Sequence, residues 1–369
     1  MSRTVVVTDG KYRSSIAAVR VLGRAGWRVA VVQAEVDCPL PPPVFTSRHA
    51  AETHMLPGKA GDAAYLDRLY ELLRGYDRPV LFCVGAATLN AVAKERARFR
   101  EVCDFLIAGP EVLDALNDKE AVHRRAAELG LPVPREYEGQ PERYPVVVKP
   151  HCGEKFGLKA QERYKVARNE QEYRAALEAL APYDPAPIVQ ERVDGDGFGA
   201  SLLLDGESRL VCALCHRRVR EYPIAGGPSA CCESVYAPER VQAAYQLLRS
   251  FGFVGAAMVE FKGDRILEVN PRVWGSFPMT EQAGSPFVKR YAQAAAGERL
   301  EYDPEDYRAG VRMRFALNDT LAALSLLKSG QLRRGLGGIG DMFTAREALG
   351  AKDDPRPFRR YLRQALLRR

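Results

Sequence analysis

The sequence predicts a mixed α/β and α+β protein, with a parallel sheet near the N-terminus and antiparallel strands in the middle of the chain. The first observation is a strand–helix–strand unit, formed by a β-branched run at 4–8, apolar residues at helical spacing over 15–25, and an apolar run at 27–33. Parallel strands need such a crossover helix, so this order indicates a parallel sheet. The second observation is a pair of short alternating runs around Gly263-Asp264, which is typical of an antiparallel β-hairpin.

The remaining elements of the N-terminal part alternate between helix and strand up to the end of a domain assigned to residues 1–110. They are a helix at 62–74, a strand at 80–84, a helix at 87–99 and an apolar run at 105–108. Asp9-Gly10 follows the first strand, where dinucleotide-binding proteins carry a glycine-rich loop. The G-x-G-x-x-G pattern is absent, so a dinucleotide cofactor is disfavoured.

Residues 111–300 are assigned to a second domain, with a lid at roughly 120–195 and a second half at roughly 196–300. Asn117-Asp118 is a helix-capping pair, and the helix that follows is expected to end at Gly130. Strands are predicted at 145–150, 188–193, 198–204 and 209–214, and helices at 111–116, 169–181 and 241–251.

Residues 301–369 are assigned as a C-terminal helical extension. The pattern predicts a strand at 311–317, an apolar helix at 320–328 and a basic amphipathic helix at 358–369. The last helix could contact anionic lipid or RNA. A solvated charged face whose apolar side packs on the protein is the more common explanation for such a pattern.

Composition places the chain among ordinary globular proteins. It has 369 residues, 46% of them hydrophobic and 27% charged, and no apolar run approaches the roughly 20 residues of a membrane span. The N-terminus enters a strand with no leader-like segment, so a cytoplasmic location is expected. The net charge of +7 fits a protein that binds anionic small molecules and does not require nucleic acid.

The eight cysteines are scattered, and in a cytoplasmic chain they are expected to be reduced. Cys212-x-x-Cys215 and Cys231-Cys232 raise the possibility of structural zinc. The first pair lies in a predicted strand, where an offset of three puts the two sulfurs on opposite faces. Buried thiols are therefore the favoured interpretation.

The predicted hairpin contains the candidate metal-binding residues of the chain. Glu268 and Asn270 share one face of the second strand, and a three-residue turn at 263–265 would place Glu260 directly opposite Glu268. Two facing carboxylates repel each other unless a cation lies between them. Carboxylate and amide oxygens are ligands that Mg²⁺ prefers, and Arg272 follows as a planar donor for phosphate or carboxylate.

A second polar stretch precedes the hairpin. Arg217, Arg218 and Arg220 lie close together in the chain and can collect carboxylate or phosphate charge. Gly226-Gly227 frees backbone N–H groups to approach an anion. The alternative is a basic strand followed by an ordinary turn. The candidate substrate-binding residues in this stretch are His216, Arg220, Gly226, Gly227 and Ser229.

The order of these motifs resembles the ATP-grasp superfamily, and in particular its carboxylate–amine ligases, whose relatives include biotin carboxylase and carbamoyl-phosphate synthase. The residues that carry the resemblance are Lys119, the lysine that ends VVVK, the glycine-containing loop after it, IVQERV and ILEVNPR. It covers roughly residues 1–300. The resemblance implies an ATP-grasp fold preceded by a parallel-sheet domain, and a homodimer as a family-level expectation.

The resemblance also implies site residues. Lys119 and Lys149 match the lysines that neutralise nucleotide phosphates, and the loop with Gly153, Lys155 and Gly157 matches the loop that closes over them, although Glu154 departs from the usual pattern. Adenine is expected at Gln190, Glu191 and Val193, and ribose at Asp196, with Glu191 or Asp194 as alternatives. The expected metal ligands are Glu260, Glu268 and Asn270, binding two Mg²⁺ ions for which Mn²⁺ can substitute.

The segment after the hairpin resembles the NPR-x-WGS signature of uncharacterised ATP-grasp ligases. Trp274, Gly275 and Ser276 are therefore expected to line the acceptor pocket. The implied reaction transfers the γ-phosphoryl group of ATP to a carboxylate, after which an amine attacks the acyl phosphate. Arg272 and an arginine from 217 to 220, with Arg217 and Arg218 as the named candidates, are expected to stabilise the developing negative charge.

The expected partners are small-molecule carboxylates and amines, with amino acids as candidates for both. One alternative is an ATP-grasp carboxylase or kinase that acts through carboxyphosphate or direct phosphoryl transfer. Another is a nucleotide-binding module without catalysis, which the intact acidic residues of the hairpin disfavour.

Overall fold

The computed structural model describes residues 3–38, 40–151, 158, 164–224 and 227–367. Within these ranges no helix is both long enough and apolar enough to cross a membrane. The strands form three sheets, which follow one another along the chain. Together with the helices packed on them, they position the candidate site.

The N-terminal sheet is parallel, as the strand–helix–strand pattern predicts. Its four strands lie in the order β3-β2-β1-β4. They are β1 (Thr4–Val7), β2 (Arg28–Ala34), β3 (Glu52–Leu56) and β4 (Val80–Phe82). The helices of this part are α1 (Arg13–Arg24), α2 (Ala63–Arg74), α3 (Ala86–Lys94) and α4 (Arg96–Arg100), with a short 3-10 helix at Pro43–Thr46.

Two differences from the sequence prediction concern this first part. The strand β3 lacks a strong apolar pattern, because only its last residue is fully buried, and the sequence alone did not indicate it. The apolar run at 105–108 is buried without forming a regular strand, and only Asp104 makes an isolated bridge to Val80. Burial without strand pairing explains why its composition resembles that of a strand.

A small antiparallel sheet follows, with its strands in the order β6-β5-β7. The strands are β5 (Val146–Lys149), β6 (Lys165–Ala167) and β7 (Ile188–Glu191), and they pack with α7 (Glu170–Leu180) around a separate apolar core. Two helices lead into this sheet, α5 (Pro110–Asn117) and α6 (Lys119–Glu128). Asp118 caps α6 by accepting hydrogen bonds from the backbone N–H groups of Glu120 and Ala121 at 2.9 and 3.1 Å, as the sequence predicts.

The largest sheet has seven strands in the order β12-β11-β8-β9-β10-β13-β14. They are β8 (Gly197–Leu204), β9 (Leu210–Glu221), β10 (Ser229–Val235), β11 (Gly255–Lys262), β12 (Arg265–Asn270), β13 (Arg312–Arg314) and β14 (Arg346–Glu347). The helices associated with it are α8 (Pro238–Ser250), α9 (Met279–Gln282), α10 (Phe287–Ala295), α11 (Ala316–Lys328), α12 (Leu332–Thr344) and α13 (Arg356–Leu367).

The segment 301–369 is not helical throughout, because it also supplies two strands. The strand β13 pairs antiparallel with β10, and β14 pairs parallel with β13. Phe358 and Tyr361 of α13 pack against the core that the N-terminal sheet shares with the large sheet. The C-terminal segment therefore extends the sheet on which the candidate site is built.

The two faces of the large sheet have different partners. Val259 and Phe261 of β11 belong to the core that includes α8, whereas Met258 of the same strand belongs to the core that includes α10. Side chains alternate along a strand, so Glu260 lies on the same face as Met258. Glu260 therefore lies on the face of the sheet that is turned away from α8.

Candidate active site

The centre of the site is the β11–β12 hairpin, in which Glu260 pairs with Glu268 and Met258 pairs with Asn270. The expected three-residue turn is not found, because Lys262 pairs with Arg265 and leaves two residues between them. A register shift next to Glu260 accommodates the extra residue of β12 as a bulge. The bulge restores the pairing that a longer turn would have produced, and the two carboxylates face each other as expected.

Each of the two glutamates is compensated by a different cation. Arg218 of β9 forms an ion pair with Glu260, which also accepts a hydrogen bond of 3.0 Å from the side-chain amide of Asn270. The Nζ atom of Lys119 lies 3.4 Å from Oε2 of Glu268. Lys119 is the first residue of α6, so the helix and the sheet meet at this contact.

The electrostatic environment separates the two carboxyl groups. Burial, and then the negative charge of Glu268, raise the pKa of Glu260, although Arg218 opposes this change. Burial alone would also raise the pKa of Glu268, but Lys119, Lys149 and Arg218 together outweigh it and lower that pKa. Glu268 is therefore the carboxylate that stays ionised more readily.

Lys149 is a buried cation at the end of β5, and only 7% of its surface is exposed. Within the described ranges no carboxylate lies within 4 Å of its ammonium group. Burial, reinforced by repulsion from Lys119, lowers the pKa of Lys149 to about 8. A buried charge without a close counter-charge is costly, so an anion that entered here would be bound favourably.

His123 is a positioning residue that sequence reasoning missed. Its Nε2 atom lies 2.9 Å from the carbonyl oxygen of Leu267, and its Nδ1 atom lies 2.5 Å from Oε1 of Glu136. The histidine therefore links α6 to β12 one turn after Lys119, and it holds the lysine beside Glu268. The only signal in the sequence was the helical i, i+4 spacing of Lys119 and His123.

The residues expected to hold adenine and ribose lie along β7 and just after it. Gln190 is buried, and its side-chain Oε1 has no hydrogen-bond partner in the described part of the chain. Glu191 accepts a hydrogen bond of 3.1 Å from the backbone N–H of Arg135 and forms an ion pair with Arg265. Val193 is half-buried, and Asp196 is exposed.

The three arginines of β9 do not converge on one point. Arg218 lies on the face of Glu260, whereas Arg217 lies on the opposite face and pairs with Asp196 and Glu233 at 3.2 and 3.1 Å. Alternation along the strand separates them. Asp196, the candidate ribose ligand, is thus held by an arginine that was expected in the catalytic centre.

Arg220 shares the face of Arg218 but is buried in a separate ion-pair cluster. It contacts Asp319 of α11 at 2.6 Å and Asp341 of α12 at 2.7 Å. Its donors are directed towards the C-terminal helices. The structure therefore places Arg220 apart from the two glutamates of the hairpin.

The segment after the hairpin divides into core and site residues. Trp274 is 1% exposed and packs edge-to-face against Phe277 and Phe287, so it belongs to the apolar core. Gly275 is exposed. The Oγ atom of Ser276 lies 3.0 Å from Nε2 of His216, and His216 lies in the same cross-strand row of the sheet as Glu260. Arg272 is half-buried, and its Nη1 donates a hydrogen bond of 3.2 Å to the carbonyl oxygen of Val273.

Gly199 explains how His216 fits beside Glu260. It lies between them in the sheet, and a Cβ atom on it would come within 2.4 Å of the imidazole ring. Burial lowers the pKa of His216 to about 3, so the imidazole is neutral near neutral pH.

The remaining candidate residues follow β9. Ser229 donates a hydrogen bond of 3.2 Å to the carbonyl oxygen of Cys231, and Gly227 lies tightly against the backbone of Tyr222. The expected phosphate-loop residues Gly153, Lys155 and Gly157, and the expected substrate residue Gly226, lie outside the described residues.

The cysteines show no arrangement for binding a metal. The seven cysteines in the described ranges are buried, and burial raises the pKa of Cys212, Cys215 and Cys231 to about 12. In the same part of the chain no three side chains from His, Cys, Asp and Glu are grouped as metal ligands. A metal at the hairpin would therefore depend on two carboxylates and one amide.

A comparison with protein families identifies the class of this domain. The model of the ATP-grasp domain family matches residues 116–276, a range that contains every candidate site residue. Residues 116–276 are thus similar to the ATP-grasp domain family, and the resemblance to this superfamily is confirmed. No curated protein matches the sequence.

Solved structures of similar fold support the same assignment. The biotin carboxylase domain of 2-oxoglutarate carboxylase from Hydrogenobacter thermophilus, a dimer solved with MgADP, ADP and bicarbonate, has a TM-score of 0.62 and 17% identity, over 85% of this chain and 73% of that chain. Biotin carboxylase from Campylobacter jejuni, solved as a β-γ-ATP complex, has a TM-score of 0.62 and 14% identity over 85% and 74%.

An L-amino acid ligase from Bacillus licheniformis is also similar. It has a TM-score of 0.58 and 15% identity, over 84% of this chain and 78% of that chain. Identities this low establish the fold alone. The protein has the ATP-grasp fold, preceded by a parallel four-stranded sheet.

Proposed function

We propose that this protein is an ATP-dependent ligase that activates a carboxylate as an acyl phosphate and joins it to an amine. The observation that carries the proposal is the convergence of Lys119, Lys149 and Arg218 on the facing pair Glu260 and Glu268. Cations and carboxylates gathered in one largely half-buried site suit the neutralisation of a triphosphate together with its metal.

The residues present fit magnesium and a nucleotide. Glu260, Glu268 and Asn270 supply only oxygen ligands, which Mg²⁺ prefers, and Mg²⁺ commonly completes its shell with water and phosphate oxygens. In the described part of the chain Lys149 has no carboxylate within 4 Å of its ammonium group, so it can bind phosphate, and Oε1 of Gln190 has no hydrogen-bond partner and can accept from an exocyclic amine of a base. The bound metal neutralises phosphate charge, and we propose two Mg²⁺ ions, with Mn²⁺ as a substitute.

The proposed reaction has two balanced steps. A carboxylate oxygen of the substrate attacks the γ-phosphorus of ATP, the bond from the γ-phosphorus to the bridging oxygen breaks, and ADP leaves. An amine then attacks the acyl carbon, inorganic phosphate leaves, and the amine nitrogen loses a proton. Neither step needs a covalent intermediate on the protein, so catalysis consists of positioning and charge neutralisation.

The residues of the chain have distinct roles in this proposal. Lys119 and Lys149 bind phosphate oxygens, and Arg218 and Arg272 stabilise the charge that develops during transfer. His216 and Ser276 shape the acceptor side with neutral polar groups. The roles of the remaining residues expected around ATP or the substrate stay predictions from the sequence. A cytoplasmic location and a homodimer also stay predictions.

The main rival is an ATP-grasp carboxylase or kinase. Several solved structures of similar fold are biotin carboxylases, and two of them were solved with bicarbonate. The similar L-amino acid ligase, by contrast, fits the ligase proposal. The rival predicts ADP release that depends on bicarbonate, or on a phosphoryl acceptor alone, and requires no amine.

The two proposals are separated by an ADP-release screen of purified protein with MgATP, using amino acids as both carboxylate donors and amine acceptors. The ligase proposal predicts ADP release that requires both substrates, and a product whose mass equals the sum of the two minus water. Bicarbonate-dependent ADP release without an amine would favour the rival. Absence of ADP release across the panel despite tight ATP binding would favour a binding module.

A further inference from the structure

The helix α12 has its amphipathic pattern reversed, because large apolar side chains point into solvent. Leu332 and Leu336 are each 60% exposed, Ile339 is 38% exposed and Phe343 is 87% exposed. Their spacing of three or four residues places them on one side of the helix. Leu324 of the neighbouring helix α11 adds a fifth exposed apolar side chain.

The opposite side of α12 packs closely on the protein through small and ionic residues. A Cβ atom on Gly335 would lie 2.6 Å from Leu327, and one on Gly338 would lie 2.7 Å from Ala323. Asp341 points inward and pairs with Arg220 and Arg312. The orientation of the helix is therefore set by its packing, and the apolar stripe has no freedom to turn inward.

The charges on this helical hairpin, residues 316–344, add a second and independent observation. All of these residues are described, and their two acidic side chains, Asp319 and Asp341, are buried in ion pairs with arginines. The exposed charges are Lys328, Arg333 and Arg334, and all three are positive. The surface is thus both apolar and purely cationic.

We propose that the α11–α12 hairpin binds peripherally to the surface of an anionic lipid bilayer. The apolar stripe would enter the boundary between headgroups and acyl chains, and the exposed cations of the hairpin would be attracted to anionic headgroups. Phe343, at 87% exposure, projects outward as an inserting side chain does. This inference does not depend on the proposed reaction.

A second copy of the chain fits this surface less well. A symmetric contact through the stripe would bring the cations of both copies together, and like charges facing each other oppose association. An acidic lipid surface satisfies both the apolar stripe and the cations around it. A dimer is therefore kept as an outcome of the test.

The experiment is co-sedimentation of the full-length protein with vesicles of phosphatidylcholine alone, or of phosphatidylcholine mixed with phosphatidylglycerol. Binding is expected only with the anionic vesicles, and it should weaken as salt is raised. The double variant Leu336→Ser/Phe343→Ser should lose roughly tenfold or more in vesicle affinity. The variant Arg333→Glu/Arg334→Glu should also lose binding. In Phe343→Trp, tryptophan emission should shift to the blue on vesicle addition.

The matched control is Val36→Ser/Leu40→Ser, which removes two apolar side chains that are 68% and 61% exposed on the N-terminal part. It should leave vesicle binding unchanged, and thermal melts should show that all variants are folded. The proposal is overturned if the protein does not bind anionic vesicles, or if Leu336→Ser/Phe343→Ser binds them with the affinity of the parent protein. It is equally overturned if that variant instead abolishes a dimer seen by sedimentation without lipid.

Discussion

Glu260 and Glu268 face each other across β11 and β12, and each is compensated by a cation from a different part of the fold. Arg218 comes from the same sheet, whereas Lys119 comes from the first turn of α6. Both cations occupy carboxylate oxygens that a divalent ion would also use. Metal binding in this site therefore implies that Arg218 and Lys119 are released towards the phosphates.

The metal assignment predicts that Glu268→Gln lowers turnover by roughly a hundredfold or more while the fold is kept. The amide retains the shape of the side chain but removes the charge that Lys119 and the metal share. The measurements are ADP release and the thermal stabilisation that MgATP produces, both of which should be lost. Asp264→Asn, in the exposed turn of the same hairpin, is the matched control and should behave like the parent. Near-normal turnover of Glu268→Gln would remove the metal assignment.

Nucleotide affinity is expected to fall as the pH rises through about 8, the pKa to which burial and Lys119 lower Lys149. Below this pH the ammonium is charged and attracts phosphate, and above it the neutral amine does not. Calorimetric titration with a non-hydrolysable ATP analogue between neutral and alkaline pH measures the effect. Lys149→Arg should bind with little pH dependence in this range, because arginine stays protonated. A flat profile for the parent would show that Lys149 does not contact the nucleotide.

The charged Lys149 side chain is also expected to lower the free energy of unfolding of the protein without nucleotide. Its pKa is lower in the folded state than in the unfolded chain, so the unfolded chain binds more protons between about pH 8 and pH 10.5. Stability is therefore expected to rise with pH across that window, and the charged lysine is destabilising below it. Lys149→Met is predicted to raise the free energy of unfolding at neutral pH by about 2–3 kcal/mol and to abolish nucleotide binding. Urea denaturation measures the first effect, and a destabilised Lys149→Met would contradict it.

Asp319 is predicted to act in stability, because it is fully buried between Arg220 and Arg314. Asp319→Ala leaves two buried guanidinium groups short of a partner and should destabilise the protein by about 3–5 kcal/mol. Urea denaturation checks this prediction, with Asp264→Ala as an exposed control that should cost little. A large rise in KM with little loss of stability in Asp319→Ala would instead indicate that Arg220 binds substrate.

Trp274 offers a test of whether the segment after the hairpin lines a pocket or fills the core. Its side chain packs between Phe277 and Phe287, and its indole N–H has no partner in the described part of the chain. Trp274→Phe is expected to change stability by less than about 1.5 kcal/mol, because the ring is largely replaced and an unpaired donor is removed. Trp274→Ala should cost about 3–5 kcal/mol. A change of substrate preference in a stable Trp274→Phe variant would indicate that Trp274 lines the acceptor pocket after all.

Much of the fold could be read locally because alternation, capping and turn residues act over a few positions. The cap at Asp118, the strand that ends at Lys149 and the presence of the β11–β12 hairpin all follow from such short-range patterns. The strands β10 and β14 were missed because their pairing depends on partners far along the chain. The bulge in β12 was missed because local spacing does not distinguish it from a longer turn.

The amino-acid sequence alone, through motifs that resemble the ATP-grasp superfamily, predicted the fold and proposed lysines, glutamates, an asparagine and an arginine as its candidate site. Only the tertiary structure decided which cation meets which carboxylate. Three arginines lie within four positions of one strand, yet each pairs with a different carboxylate. Because of strand alternation and the packing of the C-terminal helices, Arg217 pairs with Asp196, Arg218 with Glu260 and Arg220 with Asp319. The physical reason is that residue type and spacing set what a side chain can bind, whereas its actual partner depends on chain segments brought together by folding.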